Sequence, residues 1–440
     1  MSWKTVLQRL RILPREPREG LLRLMLQNVP TILIISLISL GMDYLGWFKG
    51  FETYALDSLL RIKSSQGTSN VVIVTIDDQD YRDLFGGTSP LDPAPLHSLL
   101  SAIETGQPRV IGVDIDTSEP RFAADEWPPA VWARDARPVC AESGGAADDD
   151  ATCDAEEIVR QSACGGKLVE TLSEGHGARR IETTPPTGVV VFPQDFDGVV
   201  RRYRRQFRSA QAEPPSDLAG EVDTLPWAIV QQYVQAARAG SHEPCAECER
   251  IEKLERHGDS HELVLNFAGD RYRFKRMPAR LVLEASQKDY WRTNSPLKGT
   301  IVLVGGTYRA ARDSYVTPVG TRYGVELIAQ AIESDLQGGG IREINWIVAM
   351  LLEFIAGAIL IFLNWRFTGR GSVYVNLVAI VLLSITASFL AFNAVAYWLN
   401  FTAVLLGIWI HLLWESSQEK RHLRRELEEY RRRERETKTV

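Results

Sequence analysis

Acidic side chains cluster at the ends of two strongly hydrophobic runs. Asp77 and Asp78 follow VVIVTI at residues 71–76, and Asp114 and Asp116 close VIGVDID at residues 110–116. In an open α/β sheet, ligands settle beyond the carboxyl ends of parallel strands, so four acids gathered there would suit a cation or a cationic ligand. The same residues can cap the helices that follow and satisfy turn amides. Capping is the preferred reading, with a ligand role for some of the four. In VGGTYRAARD, residues 304–313, a Gly pair follows a strand-like run and precedes Arg309 and Arg312. Backbone amides and guanidiniums at such a turn can hold an anion, although a Gly pair there also serves simply as a tight turn.

The five cysteines, Cys140, Cys153, Cys164, Cys245 and Cys248, all lie between residues 49 and 345. In an oxidising compartment they are disulfide candidates with one left over, and their connectivity stays open. Cys245 and Cys248 precede His257 and His261, the residue types of a zinc site. The gap from the second Cys to the first His is shorter than usual finger spacing, so no metal is expected. Glu353 lies within an apolar run, where an acid is costly, which makes it a functional candidate. It could equally snorkel to an interface or be protonated. No P-loop, dinucleotide fingerprint or Ser-His-Asp context is present, so neither catalysis nor a cofactor is expected.

The run VIGVDIDTSEP is similar to the nucleophile strand of haloacid-dehalogenase-like phosphatases, where the first Asp attacks phosphorus and the second acts as acid and base. That likeness would make Asp114 and Asp116 catalytic. The family pattern also needs a later Lys and a later acidic pair, whereas the acidic pair here precedes the strand.

The elements that must position these residues alternate. Continuous β-branched runs at 71–76 and 110–115 read as strands covered on both faces. Leu96, Leu99, Leu100 and Ile103 fall at helical spacing between them, so the three make a strand–helix–strand unit with a parallel pair. Further strands are expected at 189–192, 263–267 and 301–305, and helices at 225–239 and 323–337. The segment 117–186 is rich in Pro, Gly, Ala and acids, including Asp148, Asp149 and Asp150, and reads as an insertion. The fold expected for residues 49–345 is α/β, or α+β, with a partly parallel sheet.

Four runs are long and apolar enough by sequence to suggest transmembrane α-helices: 29–48, 346–363, 373–392 and 397–414. The first could instead be a signal peptide; an uncleaved anchor is preferred. Composition over the whole 440-residue chain is unremarkable, with 50 Lys and Arg against 56 Asp and Glu and a net charge of −6. Its distribution is not. Residues 49–345 carry 33 bases against 45 acids, while 1–28, 364–372 and 415–440 together carry 17 bases against 9 acids. Under the rule that Lys and Arg stay on the cytoplasmic side, both termini are expected inside the inner (plasma) membrane and the large domain outside.

Several blocks resemble bacterial sensors built on the type 2 CHASE domain (cyclase and histidine-kinase associated sensory extracellular). They are DSLLRIK at 57–63, VVIVTIDD at 71–78, VIGVDI followed by Glu119 and Pro120, FDGVVRRYR at 196–204, LKGTIVLVGGT at 297–307, and DSYVTPVG followed by GVELIAQAI ending at Ile332. The resemblance spans about residues 50–345 and the apolar runs after them. Where members usually carry a Trp-Pro and Arg element, this chain has SPLDPAPLHSLL, and its Cys-containing insertion is additional.

The resemblance implies a signal-input module for an extracytoplasmic ligand, coupled to a cytoplasmic kinase or cyclase. Only 26 residues follow Trp414, so the output is expected in a separate cytoplasmic signalling or effector protein. The tail 415–440 is helical by composition, with Glu428 and Glu429 four residues before Arg432 and Arg433 and a stripe of Leu423, Leu427 and Tyr430. It suits a partner's helix or, alternatively, an anionic lipid surface. Homo-oligomerisation is compatible with this reading, and no nucleic acid partner is expected. The alternative function is a membrane effector that oligomerises and permeabilises the membrane when a partner triggers it. A third, an ectoenzyme using Asp114 and Asp116, is not expected.

Overall fold

The computed structural model describes residues 45–63, 69–117, 121–122, 127–134, 137–138, 167–169, 186–209, 221–240, 246–256, 262–267, 274–368, 370–394 and 396–399, with short pieces between 13 and 42. The chain forms two compact units. One comprises residues 60–341; the other combines residues 1–59 with 342–440. The first unit is thus inserted between two segments that pack as one body.

Helix α1 (Lys49–Ile62) leads into the larger unit, whose first strand is β1 (Val71–Ile76), followed by α2 (Asp78–Asp83), α3 (Pro93–Thr105) and β2 (Val110–Asp114). Strands β3 (Val131–Arg134) and β4 (Thr187–Val189) follow, then β5 (Arg202–Tyr203), β6 (Gln206–Ser209), β7 (Glu221–Asp223), α4 (Leu225–Gly240), α5 (Ala246–Arg256) and β8 (Leu263–Val264). The unit closes with β9 (Lys275–Pro278), α6 (Ala279–Ser286), β10 (Ile301–Gly306), the hairpin β11 (Ser314–Thr317) and β12 (Gly320–Tyr323), and α7 (Gly324–Leu336).

A six-stranded sheet in the order β9-β1-β10-β2-β3-β4 forms its centre, and every neighbouring pair is parallel. Strands β1 and β2 do lie parallel in one sheet, but β10 inserts between them, because the last strand of the sheet returns to its middle. Alternation decides the two faces. Val72, Val74, Ile76, Ile111, Val113, Val302 and Val304 pack on one side with Leu96, Leu99, Leu100 and Ile103 of α3 and Val282 of α6. The intervening residues face α4 and α7. There Gly305 lets α7 approach, since a Cβ at that position would lie 2.6 Å from Val325 Cβ. Burying each Val, Leu or Ile side chain contributes about 1.5–3 kcal/mol, so this sandwich of helices on a two-sided sheet is the main source of stability.

Local signals set the boundaries. Asp92 accepts a hydrogen bond from Ala94 N at 3.2 Å and Pro93 opens α3, the expected start of a helix. Every residue of α7 is buried, so its polar side chains need protein partners. Gln330 donates to Asn266 O at 2.8 Å, Ser69 Oγ donates to Glu333 at 2.8 Å, Arg276 pairs with Glu326, and Asp335 accepts from Tyr203 Oη at 2.7 Å and Arg205 Nη2 at 2.8 Å. The strand expected at 189–192 ends at Val189, and that expected at 263–267 is only Leu263–Val264.

The four transmembrane helices expected from sequence are corrected by the structure: among the described residues no helix is long and apolar enough to cross a membrane. Helix α8 (Trp346–Arg366) carries Glu353 and closes on Asn364 and Arg366, and α9 (Arg370–Ala394) carries Asn376, Ser384, Thr386 and Ser388. Residues 45–48 form a turn rather than helix. The run expected at 397–414 opens as strand β13 (Tyr397–Trp398), paired in parallel with Arg342–Glu343; residues 400–440 lie outside the described ones. Asp43, the tail and most of the 117–186 insertion also lie outside the described residues.

Candidate functional site

The carboxyl edge of the parallel sheet gathers the acidic residues that the sequence singles out, but in two separate arrangements. Asp77 caps α2, accepting from Gln79 N and Asp80 N at 2.9 Å each, and it also accepts from Arg280 Nη1 at 2.8 Å. Burial pushes its carboxyl up, but the Asp80 amide, Arg280 and the Gln79 amide outweigh that and hold it below the usual range. Its neighbour in this network is Asp80, fully buried, which accepts from Ala279 N at 3.1 Å and Arg280 Nη1 at 3.0 Å and so fixes the start of α6. Asp78 accepts from Arg309 N at 2.9 Å, joining the end of β1 to the turn after β10. These are structural roles.

Asp114 is different. It ends β2, partly buried, and its side chain makes no hydrogen bond among the described residues. Burial, and then the charge of Asp313, pushes its pKa up to about 7. Asp313 is brought there by the hairpin: Ser314 pairs with Tyr323 in register, so Asp313 and Gly324 face one another at the open end. A Cβ on Gly324 would fall on the Asp313 carboxylate, so only glycine lets that group lie over the first turn of α7. Burial pushes Asp313 up too, while hydrogen bonds from Tyr315 and Gly324 N–H draw it back.

Two tyrosines complete the cluster. Tyr315 is pushed up to about 12 by burial and by the negative charges of Asp313 and Asp114. Tyr308 follows β10, is 9% exposed, and stacks on Tyr81 with ring centroids 4.3 Å apart and planes 3° from parallel. Burial raises its hydroxyl, as do Tyr81 and Asp313. Asp313 is the common member: its charge acts on Asp114, Tyr308 and Tyr315, and Tyr315 also responds to Asp114.

The other sequence candidates stand apart from this cluster. Asp116 is exposed beyond β2. Arg309 is 92% exposed, with Nε 3.9 Å from Asp78, and Arg312 is exposed in the left-handed region with φ 53°. Glu353 is buried within α8. Cys248 in α5 is buried and disulfide-bonded; Cys140, Cys153, Cys164, Cys245, His257 and His261 lie outside the described residues. Sequence reading passed over Asp313, Tyr308 and Tyr315, although Asp313 and Tyr315 sit in the DSYVTPVG block and Tyr308 in VGGTYRAARD.

The larger unit is a parallel α/β domain with a polar cluster beyond its central strands. The family model of the CHASE2 domain matches residues 31–365, and the chain belongs to that family. CHASE2 is a sensory domain family, and its domain is typically extracytoplasmic. No curated protein and no solved structure matches the chain.

Proposed function

We propose that this chain is a non-enzymatic sensor whose unit 60–341 is extracytoplasmic, takes its ligand at the carboxyl edge of the central sheet, and passes its state to a separate partner protein. The observation that carries the reading is the Asp114–Asp313 cluster, placed at the edge where open α/β sheets bind ligands, in a chain of a sensory family. The disulfide at Cys248 supports an oxidising compartment for this unit. Insertion of the unit between two segments of one other body supports transmission: a change in the unit is felt by the segments on both sides of it. The permeabilising alternative needs four crossing helices and is not carried forward.

The partner is proposed to engage the charge-patterned tail 415–440. Affinity purification of the full chain and of a version lacking those residues, from the same cells, tests this. A protein recovered with the full chain and lost with the shortened one is expected; an identical recovered set contradicts the proposed coupling.

A further inference from the structure

Two of the sequence blocks meet at a point that the sheet-edge cluster does not use. Arg61, in the last turn of α1, lies in DSLLRIK, and Pro318, in the turn that joins β11 to β12, lies in DSYVTPVG. Arg61 Nε donates to Pro318 O at 2.8 Å, although the two are 257 residues apart in the chain, and Pro318 is buried. The proline ring fixes its own φ at the second position of the turn 317–320, and Gly320, at φ 101°, completes it. The carbonyl that Arg61 reaches is therefore held by a stiff turn.

The hairpin is tied at three points. At its open end the Asp313 carboxylate lies against Gly324, and Gly324 N donates to Asp313 O at 3.2 Å, which joins the hairpin to the first turn of α7. Midway, Val316 O accepts from Val200 N at 2.8 Å, and Val316 bridges to Val199. That midpoint is itself anchored, because the next residue, Arg201, is 2% exposed and is held by Asp195 at 2.9 Å and Asp197 at 2.8 Å. The closed end holds Arg61. Two strands of four residues, in register throughout, connect these points; each strand is about 13 Å long at the usual rise per residue. A hairpin paired along its whole length and pinned in the middle rocks more easily than it bends, since bending breaks its own ladder.

Helix α1 is continuous over Lys49–Ile62, although its residues up to Leu59 group with the other unit and those from Leu60 onward with this one. A displacement of its last turn therefore passes to the earlier turns through the helix's own hydrogen bonds. We infer that the β11–β12 hairpin is the lever that couples the carboxyl edge of the sheet to α1, with Arg61 as the positioning residue at its far end. This deepens the sensory reading by naming its route and rests on that reading for its biological meaning; the coupling itself is measured without ligand or partner.

The test is a double-mutant cycle on the purified full chain, read as hydrogen-exchange protection of the amides of residues 59–62. Gly324→Ala displaces the open end, and Asp313→Ala releases it without overpacking, so one perturbation remains if the other does not fold. Each is expected to lower protection of those amides about fivefold, the net worth of one hydrogen bond, and Arg61→Ala to do the same. Added to Arg61→Ala, neither hairpin change should lower it further. An Arg61 that merely anchors its own helix turn would give additive effects, and additivity overturns the inference. So do amides at 59–62 that are indifferent to both hairpin variants, or an equal loss of protection in α3, which marks general loosening. The sensory reading fails separately, if the cycle shows coupling while recovery of the partner is indifferent to Arg61→Ala.

Discussion

The carboxylate of Asp313 lies against Gly324, the first residue of a thirteen-residue helix that is buried along its whole length. Two chain segments that enter and leave a four-plus-four residue hairpin are thereby tied at one point. The helix N-terminus favours the negative charge of Asp313 even though burial opposes it. That contact holds Asp313 in place beside Asp114.

Gly324→Ala tests the contact. The added methyl must displace Asp313 or the start of the helix, at a cost of about 1–3 kcal/mol typical of overpacking. The expected outcome is a lower unfolding midpoint in denaturant. Unchanged stability would show that the hairpin can shift freely.

Asp114 makes stability depend on pH. Its carboxyl has a higher pKa in the folded chain, about 7, than the ordinary value of 3.8, so the folded state holds its proton more tightly. The resulting stabilisation is fully present below pH 4 and is lost as pH rises through 7. Discounted for the water that reaches the group, the loss is roughly 2 kcal/mol. Unfolding of the wild type and of Asp114→Asn between pH 4 and 8 checks this: the wild type should lose stability over that window relative to the variant. Parallel curves would contradict it.

The buried pair Arg205–Asp335 anchors β5 and β6 to the end of α7. Arg205 and Asp335 are 3% and 0% exposed, and removing one partner leaves an uncompensated charge. Arg205→Ala should cost about 3–5 kcal/mol, and Tyr203→Phe, which removes one donor to Asp335, about 1–2 kcal/mol. Denaturant midpoints of the two variants give the comparison, and equal, small effects would show that Asp335 does not need its arginine.

The disulfide at Cys248 bears on the proposed extracytoplasmic placement. Alkylation of thiols in intact cells, before and after reduction, should label Cys248 only after reduction. A thiol reactive before reduction would contradict extracytoplasmic placement.

Much of the scaffold was legible in the sequence because its signals are local. The β-branched runs at Val71–Ile76 and Ile301–Gly306 and the periodic leucines of Pro93–Thr105 declare strands and helix directly. Sheet order was not, since nothing in Ile301–Gly306 states that it returns between two strands, Val71–Ile76 and Val110–Asp114, made far earlier in the chain. The site was half legible for the same reason. Asp114 is visible at a strand end, whereas its companion Asp313 is some 200 residues away and is brought near by a hairpin register and a glycine that admits its carboxylate. The apolar runs at 346–363 and 373–392 do lie in helices, Trp346–Arg366 and Arg370–Ala394, so helix was legible there too.

The central claim is that the state of the sheet edge governs association with a partner. The most direct measurement is quantitative cross-linking, in cells, of the partner to the wild-type chain and to the Asp114→Asn, Asp313→Asn double variant, with expression and folding matched. A severalfold change in partner recovery for the double variant is the predicted result. Equal recovery, with both chains folded and the partner present, would contradict the account.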